Sequence, residues 1–223
     1  MGPGVVLLGI AALAGVLALR NITHRRSAVD RRLAALGFKP CEAEAPALER
    51  AWRALTGCDA SQQLQVVRCS GRIAGRGMMH HFTVREKAVR GPTDTSNPAA
   101  SYPAYLFDLR NAGSVARGAV TLHVQPPKEK MTRKALPGAI DLNDNRPTLE
   151  IGSHPWSPSI VAAHGKTGGR LDDVVPADVQ EKLVRAAAHG FCVIHLGNGK
   201  AAFATFANDR DVERQIAYLA EWL

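Results

Sequence analysis

The chain has 223 residues, 46% hydrophobic and 22% charged, with 28 Lys and Arg against 20 Asp and Glu for a formal charge of +8. Six of the basic residues and one acid lie in the first 39 positions, so most of the excess is amino-terminal, which favours a membrane surface over nucleic acid as its partner. The four cysteines, Cys41, Cys58, Cys69 and Cys192, include no C-x-x-C pair, which excludes a zinc ribbon and a thioredoxin-type motif.

Met1 to Leu19 carry no charged side chain, and Arg20, Arg25 and Arg26 follow at once. Nineteen uncharged residues in a helix span about 28 Å, close to the thickness of a bilayer core. Nothing basic precedes the apolar run, and Leu17-Ala18-Leu19-Arg20 is a poor cleavage site, so an uncleaved anchor over 1–20 is expected rather than a cleaved signal. Arg20, Arg25, Arg26, Arg31, Arg32 and Lys39 flank its C-terminal side. The positive-inside rule then predicts the N-terminus out and the rest cytoplasmic, a single pass through the inner (cytoplasmic) membrane. Arg20, at the end of the anchor, and Arg25, Arg26, Arg31 and Arg32, in a basic juxtamembrane helix and linker over 21–40, are the expected membrane-surface residues. Ala11-x-x-x-Gly15 would let a second helix approach closely. A cytoplasmic domain keeps its thiols reduced; an inverted topology would permit disulfides.

Residues 41–223 suffice for one domain with its own core. Ser27 to Leu36 reads as a short helix with Val29, Leu33 and Leu36 inward. Pro46 to Leu55 reads as a second helix, with Leu48, Trp52 and Leu55 on one side and Gly57 as its stop. The period then changes to two: Leu64 to Cys69 and Met78 to Arg85 are strands. Gly91 to Pro103 is a loop, and Tyr105 to Arg110 and Ala119 to Val124 read as a hairpin around Asn111-Ala112-Gly113. Pro126 to Pro147 is polar and irregular. Leu149 to Ile151 and Ile160 to His164 are short strands on either side of Pro155-Trp156-Ser157-Pro158.

Asp178 to Ala188 is a helix with Val179, Leu183 and Ala187 inward. Phe191 to Leu196 and Lys200 to Phe206 flank Gly197-Asn198-Gly199, a strong hairpin signature because both turn positions need positive φ. A last helix runs through Val212, Ile216, Leu219 and Trp222. The expected fold class is α+β: antiparallel hairpins with helices packed on one face.

No catalytic motif is complete. Gly165-Lys166-Thr167 ends like a phosphate-binding loop, but Ile160 stands where its first glycine belongs. Asp141-Leu142-Asn143-Asp144-Asn145 opens like a calcium loop, but Arg146 and Gly152 occupy the glycine and glutamate positions. Cys192 and His195, three apart in a strand, fall on opposite faces unless a bulge intervenes, as do the adjacent His80 and His81. No cofactor, metal site or small-molecule ligand is read from the sequence. Trp156, Tyr102 and Tyr105 are the candidate partner-binding aromatics.

The anchor followed by Arg25-Arg26, Leu36-Gly37-Phe38, Tyr105-Leu106-Phe107-Asp108, and the Gly197-Asn198-Gly199 hairpin with its helix ending Glu221-Trp222 resemble a group of uncharacterised bacterial membrane proteins with one span and one α+β domain. The resemblance implies localisation and architecture only. The expected function is a non-enzymatic, membrane-anchored module that binds a membrane-protein partner or serves as an accessory subunit of a larger complex. The alternative is a membrane-tethered hydrolase with a site drawn from His123, His154, His164, Asp108 or Asp141.

Overall fold

The computed structural model describes residues 28–57, 64–74, 77–86, 101–109, 112–125, 146–205 and 212–223. The expected span over 1–20, Arg20, Arg25, Arg26, Cys58 and Asp141 lie outside the described residues. No described helix is long and apolar enough to cross a membrane.

Helix α1 covers 28–35 and buries Val29 and Leu33 one turn apart, leaving Arg31 and Arg32 exposed. It stops where Gly37 takes φ 84° and Phe38 N–H bonds back to Leu33 O at 2.9 Å. After the two-residue strand β1 (Lys39–Pro40) and a 3-10 turn at Glu42–Glu44, α2 (Ala45–Thr56) buries Leu48, Trp52 and Leu55. Ten strands occur in all among the described residues: β2 (Leu64–Ala74), β3 (Gly77–Glu86), β4 (Ser101–Asp108), β5 (Val120–Val124), β6 (Leu149–Glu150), β7 (Ile160–Gly165), β8 (Gly169–Arg170), β9 (Phe191–Gly197) and β10 (Lys200–Thr205) follow β1. The remaining helices are α3 (Ala112–Val115), α4 (Leu171–Val174), α5 (Ala177–Arg185) and α6 (Val212–Leu219).

Eight strands form one sheet in the order β1-β2-β3-β4-β10-β9-β5-β7, every pair antiparallel. The α+β class with a mainly antiparallel sheet is as expected. The placement of helices on one face is not. Both faces are covered: α2 packs over Phe82, Val84, Tyr102, Ala104, Leu106 and Ala202, while α1, α5 and α6 cover Met79, Tyr105, Phe107, Ile194 and Phe203. The physical cause lies in the central strands. β9 is buried along its whole length and β10 along all but its first residue, a near-continuous apolar run that one covered face cannot explain.

The hairpin expected between Tyr105–Arg110 and Ala119–Val124 does not form. β10 and β9 stand between β4 and β5, because the chain leaves β4 through α3 and the later β9–β10 hairpin fills the gap. That hairpin has the expected turn, with Asn198 at φ 51° and Gly199 at φ 76°. β6 and β7 also form, but β6 pairs in parallel with β8, and the chain just before it meets β7 through an isolated Thr148–His164 bridge and the Gly165 N–H to Pro147 O bond.

Register shifts interrupt three of the strand pairs, at Val67/Ser70, His123/Val124 and Ala204/Thr205. In β2, Val67 pairs with Thr83 and Ser70 with His81, so Arg68 and Cys69 together oppose Phe82. Arg68 adopts φ 56°, a left-handed conformation that costs an L-residue about 1–2 kcal/mol. Arg68→Gly is therefore expected to stabilise the fold by about 0.5–1 kcal/mol, after the extra chain entropy of glycine. The urea midpoint of the two proteins checks this; a lower midpoint for the glycine variant would show that the bulge is not strained.

Candidate functional site

Alternation along β5 sends Val120, Leu122 and Val124 into the core under α5 and α6, and Thr121 and His123 to the α2 side. Thr121 stands opposite His195 on β9 and His164 on β7. Its Oγ1 lies 2.8 Å from His195 Nδ1 and accepts a bond from the Arg146 guanidinium at 2.5 Å. The arrangement that satisfies both has Thr121 donate to Nδ1, which leaves the His195 ring proton on Nε2. His195 packs edge-on to Trp52 at 5.4 Å. His164 Nδ1 faces the Arg146 carbonyl at 3.4 Å, its ring stands 5.8 Å from His123, and its buried Nε2 has no hydrogen-bond partner. His123 and His164 thus converge. Both are buried, which makes this a polar seam inside the fold rather than an open cleft.

His154 lies elsewhere. It follows β6 and turns Nε2 to Asp172 Oδ1, 2.9 Å away, at the start of α4. Gln180 Nε2 donates to the same oxygen at 2.9 Å, and Arg170 donates to Oδ2 at 3.2 Å. The bond to His154, reinforced by that from Gln180, holds the Asp172 carboxyl below its usual range. The His154 ring stacks on Trp156 at 4.9 Å, nearly parallel. A Cβ on Gly152 would fall 2.6 Å from Asp172 Oδ2 and 3.1 Å from His154 Nε2, so any side chain there would push the pair aside.

A His–Asp pair next to a serine invites comparison with a catalytic triad. However, Ser157 Oγ donates to the Gly152 carbonyl and accepts from the His154 backbone N–H. The hydroxyl closes a turn instead of meeting the imidazole. Asp172→Ala would leave the Gln180 amide, buried under α5, with Val175 O as its remaining acceptor. The expected loss is about 1–2 kcal/mol, read as a lower Tm. An unchanged Tm would mean that the pair is not structural.

A third cluster gathers at the other end of the sheet. The Cys41 thiol sulfur, a Glu44 carboxylate oxygen and a His80 ring nitrogen lie within 4.8 Å of one another, and His80 Nε2 donates to Glu44 Oε2 at 2.7 Å. Cys41 N–H bonds to Cys69 O at 3.0 Å, and Cys69 Sγ donates to Cys41 O at 2.8 Å. Burial, then the adjoining Cys69 thiol and the Glu44 and Glu42 carboxylates, pushes the Cys41 thiol up to about 12. Gly71 faces His80 across the β2–β3 pair, and a Cβ there would meet the His80 ring at 3.3 Å and Met78 Cε at 2.8 Å.

The sequence-derived residues fall in varied places. Arg31 and Arg32 are exposed on α1, with Arg32 3.7 Å from Glu213. Tyr102 and Tyr105 are buried on opposite faces of β4, and Tyr105 donates to Gln215 at 3.0 Å, so neither ring is presented at the surface. Their strand begins at Ser101, inside the segment expected to be loop. Trp156 is half-buried against the core. Asp108 pairs with Lys200 across β4 and β10, in contact with neither His154 nor the His123–His164 seam. Cys192 and His195 share the α2 face after all, because a bulge at Ala204 and Thr205 breaks the alternation; Cys192 Sγ donates to Ala204 O. Comparison with protein-family models, curated proteins and solved structures found no match.

Proposed function

We propose that this chain is a membrane-anchored, non-enzymatic module of the single-span bacterial type, whose α+β domain works at the cytoplasmic face by binding a membrane-protein partner as an accessory subunit. The observation that carries the reading is the short distance between the uncharged run and the fold. Residues 20–27 alone separate Leu19 from α1, and α1 is already docked on the core through Val29 and Leu33. Eight residues reach at most about 28 Å, so an inserted run would hold the domain against the bilayer. The exposed Arg31 and Arg32 would then meet anionic headgroups, at about 1 kcal/mol per charge near the surface. Such confinement raises the effective concentration of the domain around other membrane proteins.

Mild detergent extraction of the full chain, with size exclusion and mass spectrometry of what travels with it, tests the proposal. A stoichiometric membrane complex is expected. A lone monomer, or a chain that leaves the membrane in high salt, would overturn it. Protease protection in sealed vesicles reads the orientation separately.

A further inference from the structure

Independently of any partner, we propose that Cys41, Glu44 and His80 form a binding site for a divalent transition-metal ion of the zinc class. Three donor types meet here: a thiol sulfur, an imidazole nitrogen and a carboxylate oxygen, all within 4.8 Å of one another. Around a tetrahedral zinc, a sulfur and a nitrogen ligand stand about 3.6 Å apart, so small rotamer changes close the site. The mixture of thiolate and imidazole selects zinc or cobalt over calcium and magnesium, which prefer oxygen alone.

The fold builds the site from three directions. Cys41 ends the β1 pairing, where its N–H bonds to Cys69 O. The 3-10 turn carries Glu44 back over it, with Glu44 N–H bonded to Cys41 O at 2.8 Å. β3 brings His80 from the facing strand, and Gly71 leaves the space its ring fills. The β2 bulge sets that register, since Arg68 and Cys69 share one partner position. Cys69 sits beside the cluster, with its thiol donating to Cys41 O at 2.8 Å.

The Glu44 carboxylate, already 2.7 Å from the His80 ring, puts negative charge among the donors for a cation to meet. Binding moves the thiol proton to solvent and forms the sulfur–metal bond, so it releases acid and tightens as pH rises.

The test titrates the reduced, metal-free full chain in mild detergent with Co2+ and follows the near-ultraviolet thiolate-to-cobalt band. One equivalent of Co2+ should produce the band, and Zn2+ should displace it. Cys41→Ser should abolish the band. Glu44→Gln and His80→Ala should each weaken binding at least about tenfold. Glu44 is exposed, so its variant remains informative even if the cysteine variant misfolds. Gly71→Ala should weaken binding by crowding His80, and Cys69→Ser should retain the band. No band, or a band lost in both cysteine variants but kept in Glu44→Gln and His80→Ala, overturns the proposal; the second result would mean that the thiol pair alone binds metal.

Discussion

Trp52→Ala is expected to remove about 3–5 kcal/mol of stability, a large part of what a domain of this size possesses. Trp52 is 1% exposed at the middle of α2. Its indole meets Phe82 edge-on at 5.7 Å, His195 edge-on at 5.4 Å and Tyr102 at 6.2 Å. These rings sit on β3, β9 and β4, so one side chain joins three strands to the only helix that covers this face among the described residues. Truncation leaves a cavity lined by rings that cannot collapse without moving strands. It also bares the Thr121–His195 bond to any water that enters. Trp52→Phe keeps most of the apolar area and should cost less than half as much. Urea unfolding followed by circular dichroism reads both variants. A loss below about 1 kcal/mol for the alanine variant would mean that α2 is not the clamp that holds this face.

What was legible in the sequence was local. The helix over Pro46 to Leu55 and the Asn198-Gly199 turn appear where periodicity and turn chemistry put them, because hydrogen bonds a few residues apart decide both. What was not legible depends on partners far along the chain. Tyr105–Asp108 and Val120–Val124 are strands, but a hairpin that begins only at Phe191 separates them, and no local pattern encodes that insertion. Apolar runs such as Phe191 to Leu196 carried the clue to helices on both faces, since a strand with one wet face should alternate.

The candidate sites were hidden for the same reason. Cys41 and Glu44 are three residues apart, an unremarkable spacing in a turn, and His80 reaches them only through the β1–β2–β3 pairing and the Arg68 bulge. His154 finds Asp172 across a turn and a short helix. A bulge also decided the faces of Cys192 and His195, and bulges leave little trace in a single sequence when the residue at positive φ is an arginine or the shift falls among alanines.

Acid should destabilise this protein well before its carboxylates titrate, and His81 should be the cause. His81 lies on β3 facing the core under α1, α5 and α6, 6% exposed, with its ring 4.9 Å from Tyr105. Its Nδ1 is buried without a hydrogen-bond partner. Burial holds its pKa down to about 4, whereas in the unfolded chain it titrates near the ordinary value of 6.5. Between those two values the unfolded state binds the extra proton, so stability is complete above pH 6.5 and falls as the pH drops toward about 4. Each pH unit is worth about 1.4 kcal/mol, so the whole window is worth about 3 kcal/mol. His189, lowered by burial and by the nearby Arg214, acts in the same direction. Asp172, held below its usual 3.8 chiefly by the His154 bond, stabilises the fold above that pH and loses its contribution only in stronger acid than the His81 window. His81→Leu keeps an apolar side chain of similar volume and cannot charge. Urea midpoints at pH 7.5, 5.5 and 4.5 should therefore fall steeply for the wild-type chain and more gently for the variant, with the lines converging or crossing in acid. Parallel lines would show that His81 reaches solvent or a carboxylate in the folded protein.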